Sequence, residues 1–481
     1  MENTLSRENR SSVPFPSSKP SSDPAGIQSW VASSREAQKL KKEFAEKLKG
    51  AHRSTRDWVE VQQSRAPAPF YSSVDLRDAG FKIAPVDSNL YPAGFNNICP
   101  EDLRTSPPLM RRELIAAVNR AGAQSECRKV LIVPEAHTSN RYYVENLTYL
   151  QQLLKDAEFE VKVGWFGPIP EEVQTSDGHV RLVSVTEREL IAVPFEVQVD
   201  GLLVTRDGFV PDVVLLNNDF SSGYPELLDR VAQPILPSHE LGWHTRRKSD
   251  HFLHYNALAT EFAQLVGVDP WLITVDTEAV DQVNFNEDQG LDRVAESVAR
   301  VLDRTRNAYR ERKIEREPFV FVKNNSGTYG MGILVVRSPE EVLQLNRRAK
   351  NKMSVGKNRL PILSLAVQEG IPTSTLVDRL AAEPVIYLTG PELIGGFLRT
   401  NTERGVEDNL NSQGMAFRKL CMADLRTALQ EQDDPELALD TSIPQLEMVY
   451  GSIARISALA AGRELAAVLG SGNGLPGLTD H

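Results

Sequence analysis

Residues 318–336 read PFVFVKNNSGTYGMGILVV. An aromatic and β-branched run, Phe319 to Val322, ends in Lys323. Small and polar residues follow, with Tyr329 and three glycines, Gly327, Gly330 and Gly332. A second apolar run, Ile333 to Val336, closes the stretch. The pattern predicts strand, loop, strand. Glycines let a backbone approach a ligand closely, and successive N–H groups in such a loop make a concave phosphate site. Lys323 would add a point charge. An ordinary hairpin with a glycine bulge reads equally well from these residues alone. The spacing excludes a P-loop, which needs G-x-x-x-x-G-K-[ST] before a helix. It also excludes the dinucleotide fingerprint, since the order here is G-x-x-G-x-G between strands. A hairpin lid over a nucleotide is the expectation.

Downstream, the run Leu363 to Val367 is a strand ending in Gln368-Glu369, side chains able to hold the adenine amino group and ribose hydroxyls. Further strands are expected at 382–388 and 393–401, and a helix from Pro339 to about Arg348 beside the basic run RRAKNKMSVGK. The loop GVEDNLNSQGMAF concentrates Glu407, Asp408, Asn409 and Asn411, hard oxygen ligands suited to Mg²⁺ beside substrate phosphates. An exposed turn is the competing reading. A C-terminal helix is expected from Ile443 to about Leu469.

Upstream, KVLIVPE, EVKVGWF, PDVVLLNND and QPILPS alternate with helical stretches. This predicts a mainly parallel sheet whose ligands lie beyond its C-terminal strand ends. Asn217, Asn218 and Asp219 stand at such an end, with turn capping as the alternative. Arg246, Arg247 and Lys248 form a dense cationic cluster just before an amphipathic helix, a candidate anion site. His251 and His254 on that helix read as structural. The segment 72–98 shows no clear period and reads as an irregular connection or a functional loop.

The 481 residues suffice for two or three domains. A formal charge of -11 argues against a general nucleic-acid binder. Apolar runs are too short for a membrane span, and a cytoplasmic location is the default. Cys99, Cys127 and Cys421 are far apart, so three unpaired thiols in a reducing compartment are expected. The organisation read from the chain is a disordered tail (1–28), an N-terminal helix and substrate-loop region (29–127) and an α/β domain (128–250). A helical connection (251–316), a nucleotide-binding domain (317–425) and a C-terminal helical segment (426–481) complete it.

Ten strings then carry a closer likeness. They are VDLRDAGFKIAPVDSNLYPAGFNN, PDVVLLNND, GWHTRRKSDHF, DPWLI, VKNNSGTYGMGI, NKMSVGK, VQEG, EPVIYL, GGFLR and DNLNSQGM, all lying between Ser72 and Phe417. With them the chain resembles the proteobacterial glutamate–cysteine ligases related to ATP-grasp enzymes. The resemblance implies an α/β, ATP-grasp-like fold preceded by a Rossmann-like parallel-sheet domain, with peripheral helices. It implies ATP and Mg²⁺, glutamate and cysteine as small-molecule substrates, and an acyl phosphate route. On that plan Lys323 and Gly327, Thr328, Tyr329, Gly330 and Gly332 face the ATP phosphates, and Gln368 and Glu369 the nucleoside. Glu383, Asp408, Asn409 and Asn411 hold metal, and Arg399 stabilises the transferring phosphoryl group. Arg246, Arg247 and Lys248 hold amino-acid carboxylates. Asp87 or Asp219 holds an ammonium group, with Asn217 and Asn218 nearby. The family's loop carries an acidic residue where this chain has Asn325. An ATP-dependent ligase with other substrates and a non-catalytic nucleotide-binding regulator are the alternative readings.

Overall fold

A computed structural model describes residues 31–32, 35–122, 126–135, 140–221, 223–327, 332–354, 356, 361–421 and 442–472. The N-terminal tail, Thr328, Tyr329 and Gly330 fall outside these residues.

Three sheets carry the described chain. The first is mainly parallel. Its strands Ile235–Leu236, Val213–Asn217, Lys129–Pro134, Glu160–Trp165 and Glu189–Val197 lie side by side, all parallel. Numbered along the chain, that order is 5-4-1-2-3, the doubly wound pattern of dinucleotide-binding halves. Val213–Asn217 is buried throughout, as a strand covered on both faces must be. Helix Arg141–Asp156 packs on one face of this sheet, started by Asn140, whose side chain accepts the Tyr143 N–H.

The second sheet is antiparallel and central. Leu380–Thr389 pairs with Glu392–Asn401 on one edge. On its other edge it pairs with Tyr71–Asp78, which pairs in turn with Ile83–Asn89. Met415–Leu420 follows Glu392–Asn401. The segment 72–98 is therefore not an irregular connection. It supplies two strands of this sheet, and Tyr71–Asp78 is buried at every position. Val74 and Leu76 enter the apolar core while Asp75 and Arg77 face the other way. This is alternation with charges on a covered face.

The third sheet has the antiparallel order Thr277–Asp281, Ser364–Glu369, Val320–Asn324, Ile333–Val336. Helix Leu291–Glu311 lays Val294, Val298, Val301 and Leu302 against Val320, Val322, Leu365 and Val367. Each fully buried aliphatic side chain there contributes about 1.5–3 kcal/mol. Phe321 and Lys323, one residue out of phase, face away from this core. The single helix expected over 339–348 is two, Pro339–Leu343 and Arg347–Ser354. Asn346 separates them because its side chain accepts the Ala349 N–H and so opens the second.

The C-terminal helix Ser442–Gly472 packs on helix Lys248–Val266 and on the central sheet. At Gly462 an added Cβ would lie 2.5 Å from the Pro67 carbonyl oxygen, so only glycine permits this approach. Cys99 and Cys421 form a disulfide, against the expectation of three free thiols; their 322-residue separation hid the pairing. Cys127 is free and buried, which pushes its thiol up to about 12. No helix among the described residues is long and apolar enough to cross a membrane.

Candidate active site

The polar face of the third sheet looks onto the polar face of the central sheet, and a cleft lies between them. Strand register builds both walls. On the central sheet Asp75 stands opposite Asp87 and Val385, and Glu383 opposite Arg399. Paired residues share a sheet face, so Asp75, Arg77, Asp87, Glu383 and Arg399 project together into the cleft's wall. Across it stand Phe321 and Lys323, with Gly327 and Ile333 beyond. Asn409 and Asn411 close one side and Lys248, from the start of its helix, another.

Charges in this cleft are paired and largely dry. Arg399 Nη1 donates to Asp75 Oδ2 at 2.7 Å and to Glu383 Oε1 at 2.8 Å. Arg77 Nε donates to Glu383 Oε2 at 2.5 Å, and its other nitrogens hold the Val406 and Asp408 carbonyls. Lys248 Nζ donates to Asp87 Oδ1 at 2.5 Å. Lys323 Nζ donates to the Val86 carbonyl at 3.0 Å and to Gln368 Oε1 at 2.7 Å. Burial pulls the Lys323 ammonium down to about 8, although Asp87 opposes the shift. Burial would raise Glu383, but Arg77 and Arg399 overcome it and hold that carboxyl below its usual range. Asp87 is likewise held low, by Lys248 and Lys323 against burial. Asp75 goes the other way: burial raises it, and Arg399 only partly compensates against Glu383 and Asp87. Four cations, Arg77, Lys248, Lys323 and Arg399, face three carboxylates, Asp75, Asp87 and Glu383. The excess of positive charge suits an anionic ligand.

A family model described as glutamate-cysteine ligase matches residues 46–465. The chain belongs to the glutamate-cysteine ligase family. The crystal structure of a candidate gamma-glutamylcysteine synthetase from Methylobacillus flagellatus KT is 34% identical to it, with a TM-score of 0.77 over 92% of this chain and 100% of that chain. D-alanyl-alanine synthetase A from Vibrio cholerae O1 biovar eltor str. N16961 aligns at 12% identity and a TM-score of 0.31, over 65% of this chain and 82% of that one. No curated protein matches.

For this member of the glutamate-cysteine ligase family, the structure sorts the residues named from sequence into two groups. Lys323, Gly327, Asp87, Lys248, Glu383, Arg399, Asn409 and Asn411 line the cleft, and Gln368 reaches it through Lys323. Gly332 sits beside it with φ of 62°, a left-handed turn suited to glycine. The others are engaged elsewhere. Glu369 receives Lys82 Nζ at 2.5 Å and the Asp276 N–H, on the opposite sheet face from Gln368. Asn217 is spent on Tyr71, Asn146 and the Pro92 carbonyl, which fill the end of the parallel sheet. Asn218 and Asp219 accept the Phe220 and Ser221 N–H groups, as turn-capping side chains do. Arg246 is buried against Glu464, His251 and the Ser88 carbonyl. Arg247 donates to the Thr245 and Arg246 carbonyls. His251 bridges Glu464 and Ser457, a Ser–His–carboxylate order that lies buried away from the cleft and is structural.

The donors named for a metal do not assemble into a cation site. Both Glu383 oxygens accept from guanidinium groups, and the Asp408 carboxylate accepts the Gly405 N–H. The Asn409 side chain is turned onto the Asn411 backbone, its Nδ2 donating to the Asn411 carbonyl and its Oδ1 accepting the Asn411 N–H. Among the described residues, the one cluster of three metal-ligating groups is Cys99, Glu101 and Cys421, where the two sulfurs are joined. Asn325 has a structural task. Its carbonyl accepts the Lys248 N–H, its Oδ1 the Ser249 N–H, and its Nδ2 donates to Ser249 and Ser364. It caps the helix that carries Lys248, and its amide both accepts and donates, which an ionised carboxylate does not. Asp75 and Arg77 went unassigned from sequence. Their signal is the alternation Val74-Asp75-Leu76-Arg77, which composition hides because charged residues ordinarily lie at the surface.

Proposed function

We propose that the protein joins the side-chain carboxylate of L-glutamate to the amine of L-cysteine at the expense of ATP, giving γ-glutamylcysteine, the first step of glutathione biosynthesis. The observation that carries this reading is the cleft between two facing antiparallel sheets, walled by Lys323 and Arg399 and bearing an excess of positive charge. An ATP-grasp-like arrangement, with a nucleotide between the sheets, accounts for that layout.

ATP supplies the phosphoryl group that turns a carboxylate oxygen into part of a good leaving group, phosphate. Glutamate's side-chain carboxylate accepts that group as ADP leaves, and the cysteine amine then displaces phosphate from the acyl carbon. Phosphoryl transfer needs positioning and charge stabilisation above all. Lys323 and the backbone at Gly327 bind phosphate oxygens, and Lys248 adds charge from the opposite side. Arg399, buried and held by two carboxylates, presents a fixed guanidinium to the phosphoryl group in flight. Mg²⁺ favours substrate phosphates and water over an all-protein cage; it would be held chiefly by the nucleotide phosphates and would neutralise their charge, since Arg77 and Arg399 occupy both Glu383 oxygens. Such a reaction belongs in the cytoplasm, where ATP and reduced cysteine are both at hand.

Phosphate release with each amino acid singly and in pairs tests the reading. Release that requires both glutamate and cysteine supports it. Release with another pair assigns other substrates, and nucleotide binding without turnover assigns a regulator.

A further inference from the structure

Asp75 is 5% exposed and lines the cleft. Its Oδ2 is bound by Arg399, but its Oδ1 is buried without any hydrogen-bond partner. On the same ion pair, Arg399 Nε is also buried and unpartnered. A buried acceptor left unmade costs about 1–3 kcal/mol, more when charged. Here an acceptor and a donor are left together, in a cleft built for ligands. A ligand that carries a cation and an anion close to each other would satisfy both atoms.

Three candidates meet Asp75 from this cleft. A divalent ion would stand beside Arg399, which is 2.7 Å from the other oxygen of the same carboxylate, and near Arg77. Guanidinium groups at that range oppose a dication more than a single ammonium charge. Cysteine's amine is the nucleophile and must be neutral to attack, whereas an ionised carboxylate beside it would hold it protonated. Glutamate's α-amine takes no part in bond formation and stays an ammonium group throughout. Its side-chain carboxylate, on the same molecule, supplies the anion that the unpartnered Arg399 Nε can receive.

We propose that Asp75 receives the α-ammonium group of the glutamate substrate through Oδ1, leaving Arg399 Nε for the carboxylate that is activated. Asp75 then selects an amino acid over a plain dicarboxylate, and the Asp75–Arg399 bond sets the spacing between the two ends. This inference rests on the ligase reading above.

The test compares the wild-type protein with D75N and D75E, using glutamate and glutarate, which lacks the amine. The loss of one charged contact to a buried group corresponds to about 100-fold in KM. D75N is expected to raise the KM for glutamate by about that factor. Its KM values for cysteine and ATP, and its Mg²⁺ half-saturation, should stay within about twofold. Its preference for glutamate over glutarate should vanish, and D75E should recover part of it. A rise in Mg²⁺ or ATP requirement instead would make Asp75 a metal ligand and overturn the proposal. So would a rise confined to cysteine with a shifted pH profile, or an unchanged glutamate preference. Should D75N fail to fold, calorimetric titration of wild-type protein decides, since equal affinity for glutamate and glutarate overturns the proposal and a large preference for glutamate supports it. Wild-type protein that releases no phosphate with glutamate and cysteine would refute the ligase reading itself, a result separate from every outcome above.

Discussion

Replacing Lys323 with methionine exchanges a buried ammonium group for an apolar chain of similar length, and its consequences can be worked out from the fold. Burial lowers the ammonium from 10.5 to about 8. Below about 8 both folded and unfolded states carry the proton, and the full cost of burying the charge is present. Between about 8 and 10.5 the folded state releases its proton while the unfolded state keeps it, so stability rises with pH. From pH 7 to 9.5 this contribution amounts to about 2 kcal/mol. K323M lacks the group and the rise. The assay is urea unfolding of both proteins at the two pH values, taking the difference between them so that other titrating groups cancel. The wild type should gain about 2 kcal/mol on the variant. A difference that does not change with pH would refute the buried, dry setting assigned to Lys323. Turnover of the variant should fall by at least about 1000-fold, because the phosphates lose a charge placed in a low-dielectric cleft.

Three further outcomes are expected. R399K should lose about 100-fold or more in kcat by steady-state assay, because a flexible ammonium that keeps the Asp75 and Glu383 contacts cannot reproduce the rigid guanidinium plane that fixes the direction of the remaining N–H; near-normal kcat would count against a role at the phosphoryl group. N325A removes the cap on the helix bearing Lys248 and should cost about 1–2 kcal/mol in denaturant unfolding; a loss within error would mean the cap is not needed. Glu464 is drawn down to about 2, since Arg246 and His251 outweigh burial. Its contribution is complete above 4.5 and fades as pH falls toward about 2, so E464Q should be about 3 kcal/mol less stable at pH 7 and the gap should narrow by about 2 kcal/mol at pH 3. A gap that is constant with pH would contradict the ion-pair assignment.

Much of this site can be read from local pattern, and the remainder fails for identifiable reasons. FVFVK alternates cleanly, so a core face of Val320 and Val322 and a ligand face ending in Lys323 follow from period two alone. The same rule, applied one strand away, shows that Gln368 and Glu369 cannot share a face, and Glu369 pairs with Lys82 behind the sheet. Asp75 and Arg77 obey an equally regular alternation, but a strand covered on both faces carries its charges inside, where composition suggests surface. Glu383 carries no local sign of its partner; only register reveals Arg399 directly opposite it. Arg246 reads as an anion-binding candidate because its partner, Glu464, lies 218 positions away. In each case the missing information is a long-range partner, which no local window contains. Asn217 fails differently: it does stand at the end of a parallel strand, but Tyr71, Asn146 and the Pro92 carbonyl occupy the place a ligand would take.

The central claim is that glutamate's side-chain carboxylate is activated by phosphorylation in the cleft between the two sheets. Glutamate carrying ¹⁸O in that carboxylate, turned over with ATP and cysteine, tests it by mass spectrometry of the released phosphate. One ¹⁸O atom in each phosphate, and one left in the amide of the product, is the expected result, because the acyl–oxygen bond breaks when the amine displaces phosphate. Unlabelled phosphate formed alongside γ-glutamylcysteine would contradict it.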